Sequence, residues 1–536
     1  MIQKNVEIKV QPRSGFDKSF RNLLTGKVGS LVPLLVDELI PNTRAVCHQR
    51  IAVSLPPLAS DVFMNVDYKL EAFAVPHRLL YGGFENFFTD SPITTSTGDS
   101  VPSLPIMRFS IGDEGSESLS RSRFIAGSLS DYLGFKLPVS VSQMGTISMD
   151  MMPFLVYHRV YDDWYRNPLI QLPVFVHPSA DLGMDISTLP YSWFVSAENP
   201  FSGISEDNVD ELDFHDGVSL LSLRQRNFGF DYFTMATPSP QLGDAASVRF
   251  EVSDGEGSFT IAQLRSQNSV QMFRERNNLA GTRLVDVCRA RFGAHLSDGV
   301  AQRSMLIGSA SIPVYSKGID AQGAPNAAQQ STNPFNSIGA RYGSAYSSGE
   351  LYFDFTAEEP CYIIVMGSLV PRVTYSSGVA PILTRHTDGT LASFADPILQ
   401  NVGPQPIFMK ELNSNMLAVN PNAVFGYTDR YADWMVKNNE LHGLLRDGES
   451  LESFALQRTF RAQDIRISSQ FLQIPTNFMD QVTAVPAALS QFGYWLDSYN
   501  DYKVSQPLAT YCLPSLQNPA YEHGNSVTVN RGGTSL

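Results

Sequence analysis

His158 stands four residues ahead of Asp162 and five ahead of Asp163, a spacing that on a helix could bring an imidazole and a carboxylate together for general acid–base work. The same helical face carries Phe154, Tyr157, Tyr161 and Tyr165, so a satisfied core histidine is the better expectation. From Asp181 to Leu223 the chain has no Lys or Arg, while Asp181, Asp185, Glu198, Glu206, Asp207, Asp210, Glu211, Asp213 and Asp216 accumulate. Unpaired carboxylates are costly to bury, and the spacing does not follow the Asp-x-Asp-x-Asp-Gly pattern of a calcium loop, so an outward-facing loop without metal is expected. Cys47, Cys288, Cys361 and Cys512 lie far apart, without metal-ligand spacing, and read as buried small hydrophobes in a reducing compartment. Phosphate loops, dinucleotide fingerprints, His-Glu-x-x-His, Cys-x-x-Cys and Gly-x-Ser-x-Gly motifs are all absent from the sequence. No catalytic, cofactor or metal residue is therefore assigned.

Basic residues are the remaining candidates. Residues 1–30 read as an N-terminal arm with Lys4, Lys9, Arg13, Lys18, Arg21 and Lys27 against Glu7 and Asp17. Arg13, Lys18, Arg21 and Lys27, with Arg274 and Arg276 farther on, are candidates for phosphate contact; a solvated arm, a subunit contact or ordinary solvated helix arginines are the alternatives. The net charge of −14 argues against nucleic acid coating the whole surface, but leaves room for a one-sided basic face.

The elements that must position these residues are mostly strands. Of 536 residues 43% are hydrophobic and 11% aromatic, enough for a large core, while only 17% are charged, which suggests that much surface ends up against protein. Val62, Met64, Val66, Tyr68, Leu70, Ala72 and Ala74 alternate with Asn65, Asp67, Lys69 and Glu71, a period-two strand that Pro76 should end. His77 to Phe88 reads as a short amphipathic segment, and Asp150 to Asn167 as a helix with Pro153 in its first turn. Phe259 to Gly293 reads as two helices broken at Gly281-Thr-Arg283, the first with an apolar stripe through Ile261, Leu264, Met272 and Phe273. Leu351, Phe353 and Phe355 alternate along another strand, and Cys361 to Met366 suits a strand covered on both faces. Residues 91–146, 181–223 and 317–349 read as insertions or long loops, and 517–536 as a tail that lies on a neighbour or frays. There is no apolar signal core at the N-terminus and no run of about 18 apolar residues, so cytoplasmic synthesis without membrane insertion is expected.

Several blocks, in order, resemble the major capsid proteins of microviruses, small single-stranded DNA phages, in particular their gokushovirus-like branch. They are Leu31-Val-Pro-Leu-Leu-Val-Asp-Glu-Leu-Ile-Pro41, the strand exit Val75-Pro-His-Arg-Leu-Leu80, the helix end Trp164-Tyr-Arg-Asn167, and Asp231-Tyr-Phe-Thr234 with Pro238-Ser-Pro-Gln241. Next come Ala262-Gln-Leu-Arg265, Phe273-Arg-Glu-Arg276, Gly281-Thr-Arg283 and Arg291-Phe-Gly293, then Val370 to Tyr375, Val424 to Trp434 and His442-Gly-Leu-Leu-Arg446. The likeness departs after Gln241. In gokushoviruses a long insertion that forms a threefold protrusion tends to follow this motif, whereas here only Leu242 to Ser258 precede the next block, and the upstream acidic segment is read as exposed decoration instead.

The resemblance implies a mainly β chain, one capsid domain over residues 1–536, built as an eight-stranded antiparallel jelly-roll sandwich with long loop and helix-containing insertions. It implies sixty identical copies in a T=1 icosahedral virion shell around a circular single-stranded DNA genome, assembled in a bacterial host cytoplasm. Its implied partners are an internal scaffolding protein, a DNA pilot protein, a small basic DNA-binding protein and a host surface receptor. Trp164, Tyr165, Arg166, Phe425, Tyr431 and Trp434 are then candidates for subunit packing. A β-sandwich receptor- or carbohydrate-binding protein of small oligomeric state is the alternative.

Overall fold

The computed structural model describes residues 4–9, 13–59, 62–63, 65–95, 98–100, 104–112, 118–120, 126–136, 144–171, 174, 221–241, 261–280, 283–292, 295–320, 341–386, 394–461, 465–484, 493–508 and 526–531. Eight strands form the framework. The first, β1, runs as Ser14–Asp17 and Phe20–Gly26, two pieces that keep one register on the last strand across Lys18 and Ser19. The others are β2 (Val32–Leu39), β3 (Arg44–Ser54), β4 (Val66–Pro76), β5 (Met305–Asp320), β6 (Arg341–Thr356), β7 (Cys361–Pro371) and β8 (Tyr494–Gln506). They pair antiparallel in the order β1-β8-β3-β6 and β5-β4-β7-β2, the two four-stranded faces of a jelly roll.

Strand β5 makes the corner between the two sheets. Met305 to Val314 pair with β4, then Tyr315 to Asp320 pair with β6. The crossing is tight enough to require glycine: a Cβ on Gly349 of β6 would lie 2.5 Å from the Ile312 side chain. At the other edge Pro33 sits in β2, which among the described residues pairs only with β7, and the register slips there by one residue, as expected for proline on an edge strand.

Strand β4 shows the expected alternation and then departs from it. Val66, Tyr68, Leu70 and Ala72 face the sandwich interior with Cys47, Val53, Leu351, Phe353 and Val365. On the other side Phe73 and Val75 are buried too, beneath a helix, α1 (Met152–Val160), that continues as a π-helical turn through Tyr161–Tyr165. Phe154, Tyr157, Tyr161 and Tyr165 of this helix pack with Phe73, Ile364 and Met366 into a second core. Strand β7 is buried at every position, as its apolar run predicts. Each fully buried side chain of this size is worth about 1.5–3 kcal/mol, so the cover on the sheet is integral to the fold.

Two connections are outsized, residues 77–304 between β4 and β5 and residues 372–493 between β7 and β8. The first holds α1 and the two helices α2 (Ile261–Ala280) and α3 (Leu284–Phe292), separated at the expected break. It is locked to the sheet by an ion pair. Arg226 donates to both carboxylate oxygens of Glu71, at 2.6 and 3.0 Å, and the Tyr165 hydroxyl donates to the same group at 2.5 Å.

Several loop and arm expectations give way to strands. Residues 14–26 are the edge of the sandwich and not a free arm, and Lys4–Lys9 pair antiparallel with Ser526–Arg531, the described part of the expected tail. The stretch 317–349 is entered from both sides by β5 and β6, with 321–340 outside the described residues. Residues 91–146 contain the strands Ile93–Thr95, Gly98–Ser100, Ile106–Gly112 and Ser118–Ser120 and the start of Met144–Asp150. Nearly all of the acidic segment 181–223 lies outside the described residues; Leu221 and Leu223 at its end pack against the second core.

Breaking a buried ion pair on one side leaves a stranded charge. Arg226→Met is expected to lower stability by about 3 kcal/mol, and Glu71→Leu added to it to recover most of the loss, read from urea unfolding of the unassembled chain.

Candidate nucleic-acid and subunit interfaces

The imagined acid–base pair is not assembled as a catalytic unit. His158 is buried, and its Nδ1 lies 3.3 Å from the Arg224 Nε–H, which donates to it. Asp162 accepts the Val174 N–H at 2.9 Å and pairs with Arg166 at 3.2 Å, while Asp163 pairs with Arg159 at 3.0 Å and accepts the Ser304 N–H at 2.8 Å. Each carboxylate is used to hold a turn. The thiols of Cys47 and Cys361 are pushed up to about 12 by burial, which leaves them unreactive at neutral pH. Cys288 is half-buried, and Cys512 lies outside the described residues. Among the described residues no group of three or more His, Cys, Asp or Glu could hold a metal ion, and no helix is long and apolar enough to cross a membrane.

Four of the basic candidates lie along or beside β1, and the other two lie on α2. Lys18 pairs with Asp37 at 2.8 Å, and Arg21 grips Asp497 with two hydrogen bonds of 2.8 and 2.6 Å. Arg13 reaches the Ser505 carbonyl at 3.5 Å, and Lys27 is exposed in the turn before β2. Arg274 is half-buried on α2, and the side chain of Arg276 lies outside the described residues. The apolar stripe of α2 differs from expectation, since Leu264, Met272 and Phe273 are exposed on the single chain.

The outer face of the β1-β8-β3-β6 sheet is a surface that the sequence reading did not single out. Trp495 and Tyr499 of β8 and Tyr346 and Tyr352 of β6 are all exposed on it. Between them run the ion pairs of Arg44 with Asp354 at 2.5 Å and Lys503 with Asp501 at 2.8 Å, and a contact of His48 Nε2 with Glu350 at 2.9 Å. Arg44 holds the Asp354 carboxyl below its ordinary range through its hydrogen bond. The signal available in the sequence was the alternation Trp495, Asp497, Tyr499, Asp501, Lys503, a strand whose outward positions are aromatic and charged.

The subunit-packing candidates divide into internal and external residues. Trp164 packs on Phe73 with ring centroids 5.6 Å apart, donates its indole N–H to the Ser304 carbonyl at 3.1 Å, and lies under Arg303 at 4.1 Å. Tyr165 and Arg166 are likewise used within the chain, Arg166 donating to the Gln171 carbonyl at 2.7 Å. Phe425 is buried against Phe471, 4.9 Å away, and Tyr431 is buried with a left-handed backbone, φ 65°. Trp434 is the external one, exposed beside Phe394 at 5.5 Å and Arg385 at 4.2 Å. Ile382, Leu383, Ile398, Met435 and Val436 of the same insertion are exposed too. Exposed apolar side chains in such numbers mark protein contact surfaces.

Beside Trp434, the insertion buries an unneutralised acid. Arg385 pairs with Asp433 at 2.9 Å, which leaves Glu411 to the Phe408 N–H at 3.1 Å and the Tyr232 hydroxyl. Burial first, with Asp433 adding to it, pushes the Glu411 carboxyl up to about 7.

A jelly roll with oversized insertions and aromatic and apolar side chains exposed on two surfaces has the make-up of a contact-forming β-sandwich protein. Residues 4–256 and 248–516 match the family described as capsid protein (F protein), and the chain belongs to that family. It is 24% identical to capsid protein VP1 of Chlamydia phage 1, covering 94% of this chain and 96% of that one. The same figures are 22%, 94% and 95% for capsid protein VP1 of Bdellovibrio phage phiMH2K, and 21%, 94% and 96% for capsid protein VP1 of Spiroplasma virus 4.

Trp164→Ala is expected to cost about 2 kcal/mol, below the roughly 3–5 of a fully buried aromatic, and to lower particle yield; an unfolding midpoint and yield equal to wild type would contradict this placement. Because the folded state holds the Glu411 proton more tightly than the unfolded one, its contribution is present below pH 4.5 and is lost as the pH rises to about 7. Glu411→Gln is therefore expected to flatten the pH profile of unfolding across that window and to stabilise the chain at pH 8 by about 2–3 kcal/mol.

Proposed function

We propose that sixty copies of this chain close into a T=1 icosahedral shell around a circular single-stranded DNA genome, with a structural and non-catalytic role. The observation that carries the reading is a capsid-family match through the whole jelly roll, on a chain that leaves its aromatic sheet face and the Ile382–Val436 insertion surface uncovered. Permanent interfaces commonly bury more than about 2,000 Å², and surfaces of this kind supply apolar area for them. The net charge of −14 favours a small basic DNA-binding protein as an intermediary between shell and genome. An internal scaffolding protein, a DNA pilot protein and a host surface receptor complete the expected partners, with assembly in the bacterial cytoplasm. Within this reading Trp434 and its exposed neighbours are subunit contacts, and Trp164, Tyr165, Arg166, Phe425 and Tyr431 act indirectly by holding the insertions in shape. The domain limits proposed are one capsid domain with its insertions at 91–146 and 181–223.

Electron microscopy and sedimentation of the virion-derived or recombinant chain test this. Uniform closed shells are expected, with nuclease-protected circular single-stranded DNA in the virion-derived ones; discrete monomers or trimers in every assembly condition would overturn it.

A further inference from the structure

On the outer side of β4, Asp67, Lys69 and Glu71 project in a row, and the cross-strand neighbours of Lys69 are Ser311 of β5 and Ser368 of β7. Lys69 and Ser311, with Ser309, Phe230, Arg372 and Asn439, line a cleft of about 540 Å³. The apolar cover of α1 stops short of it, at Phe73.

The acids of this cleft are already matched. Asp67 Oδ2 accepts from Arg372 Nε and Nη2 at 3.0 and 2.9 Å, and Glu71 is held by Arg226. Asp231, on the cleft wall, accepts the Tyr375 hydroxyl at 2.7 Å and the Phe233 and Thr234 N–H groups, with buried Arg458 in its field. Lys69 is left over. Half-buried, its ammonium makes no hydrogen bond or ion pair among the described residues. Burial, then Arg226, pulls it below its ordinary range, with Glu71 and Asp67 opposing that shift through space. At the rim Phe230 is 88% exposed, and the side chain of Arg372 is 64% exposed.

We propose that this cleft takes one nucleotide unit of a single-stranded nucleic acid, its phosphate on Lys69 and Arg372 with the serine hydroxyls, and its base on the Phe230 ring. A cation for the backbone beside an aromatic platform is the arrangement by which proteins hold single strands without reading sequence. A carboxylate from a neighbouring copy would answer the charge, but would leave Phe230 and most of the cleft volume unused. The inference rests on the reading that the chain encloses single-stranded DNA, and assigns one place where the strand is held.

The test is fluorescence anisotropy of a labelled oligothymidylate of about ten nucleotides with the full unassembled chain, across a salt series. Phe230→Ala is expected to weaken binding about tenfold with the salt dependence intact. Lys69→Met is expected to lower the slope of log affinity on log salt by about 0.7, and Lys69→Arg to restore it. Unfolding midpoints of Phe230→Ala and Lys69→Arg should equal wild type. Wild-type protein that does not bind the oligonucleotide, or Phe230→Ala and Lys69→Met variants that bind it as wild type does, would overturn the proposal. Loss of shells in these variants with oligonucleotide binding unchanged would also overturn it, assigning the cleft to a contact between copies. Failure of the wild-type chain to form shells at all would instead sink the capsid reading, so the two outcomes are distinguishable.

Discussion

Strand β7 and the C-terminal half of β4 must be dry on both sides, and the architecture follows from that. Tyr68 and Val365 look into the sandwich while Phe73 and Ile364 look out of it, and neither set is exposed to water. The insertion between β4 and β5 is therefore not decoration on a finished domain, because α1 completes the sheet it covers. Tyr157 shows how closely cover and sheet are joined: its hydroxyl donates to the Leu31 carbonyl at 2.9 Å and accepts the Arg224 N–H at 2.8 Å. Where the apolar cover ends, the same strand turns polar, and the Glu71–Arg226 pair marks the boundary.

The two sheets are consequently unequal. One carries a second core on its back, while the other presents Trp495, Tyr499, Tyr346 and Tyr352 among paired charges. Pairing Arg21, Arg44 and Lys503 with acids on neighbouring positions removes long-range repulsion from that face and leaves short-range contact to decide what binds there. The insertion around Trp434 exposes apolar side chains in the same way, so the single chain has two regions whose composition suits an assembly better than solvent.

Much of this was legible in the sequence, for local reasons. The period-two pattern ending at Pro76, the continuous run from Cys361, the aromatic helix and the division of the next helical stretch are each written in a few consecutive residues, and the structure has β4, β7, α1 and separate helices that end at Ala280 and begin at Leu284. The failures concern partners far away along the chain. Phe20-Arg-Asn-Leu-Leu-Thr-Gly26 has mixed polarity because it is an edge strand, and only its ladder with β8 makes it one. Arg341 to Glu350 is rich in Ser and Gly, yet is held extended between β3 and β5. The candidate arginines of the presumed arm looked available because Asp497 lies 476 residues away from Arg21. The reverse holds for Lys69, which alternation places on the polar face of its strand; it is distinctive only once Arg372 and Arg226 have claimed its acidic neighbours.

The two ends of the described chain are zipped together twice, Lys4–Lys9 on Ser526–Arg531 and Ser14–Gly26 on Tyr494–Gln506, both antiparallel. In such a geometry, tension that draws the ends apart peels the ladder one rung at a time instead of shearing all rungs at once. Tension of that kind acts first on the seam, whereas load carried across the body of the sandwich leaves it slack.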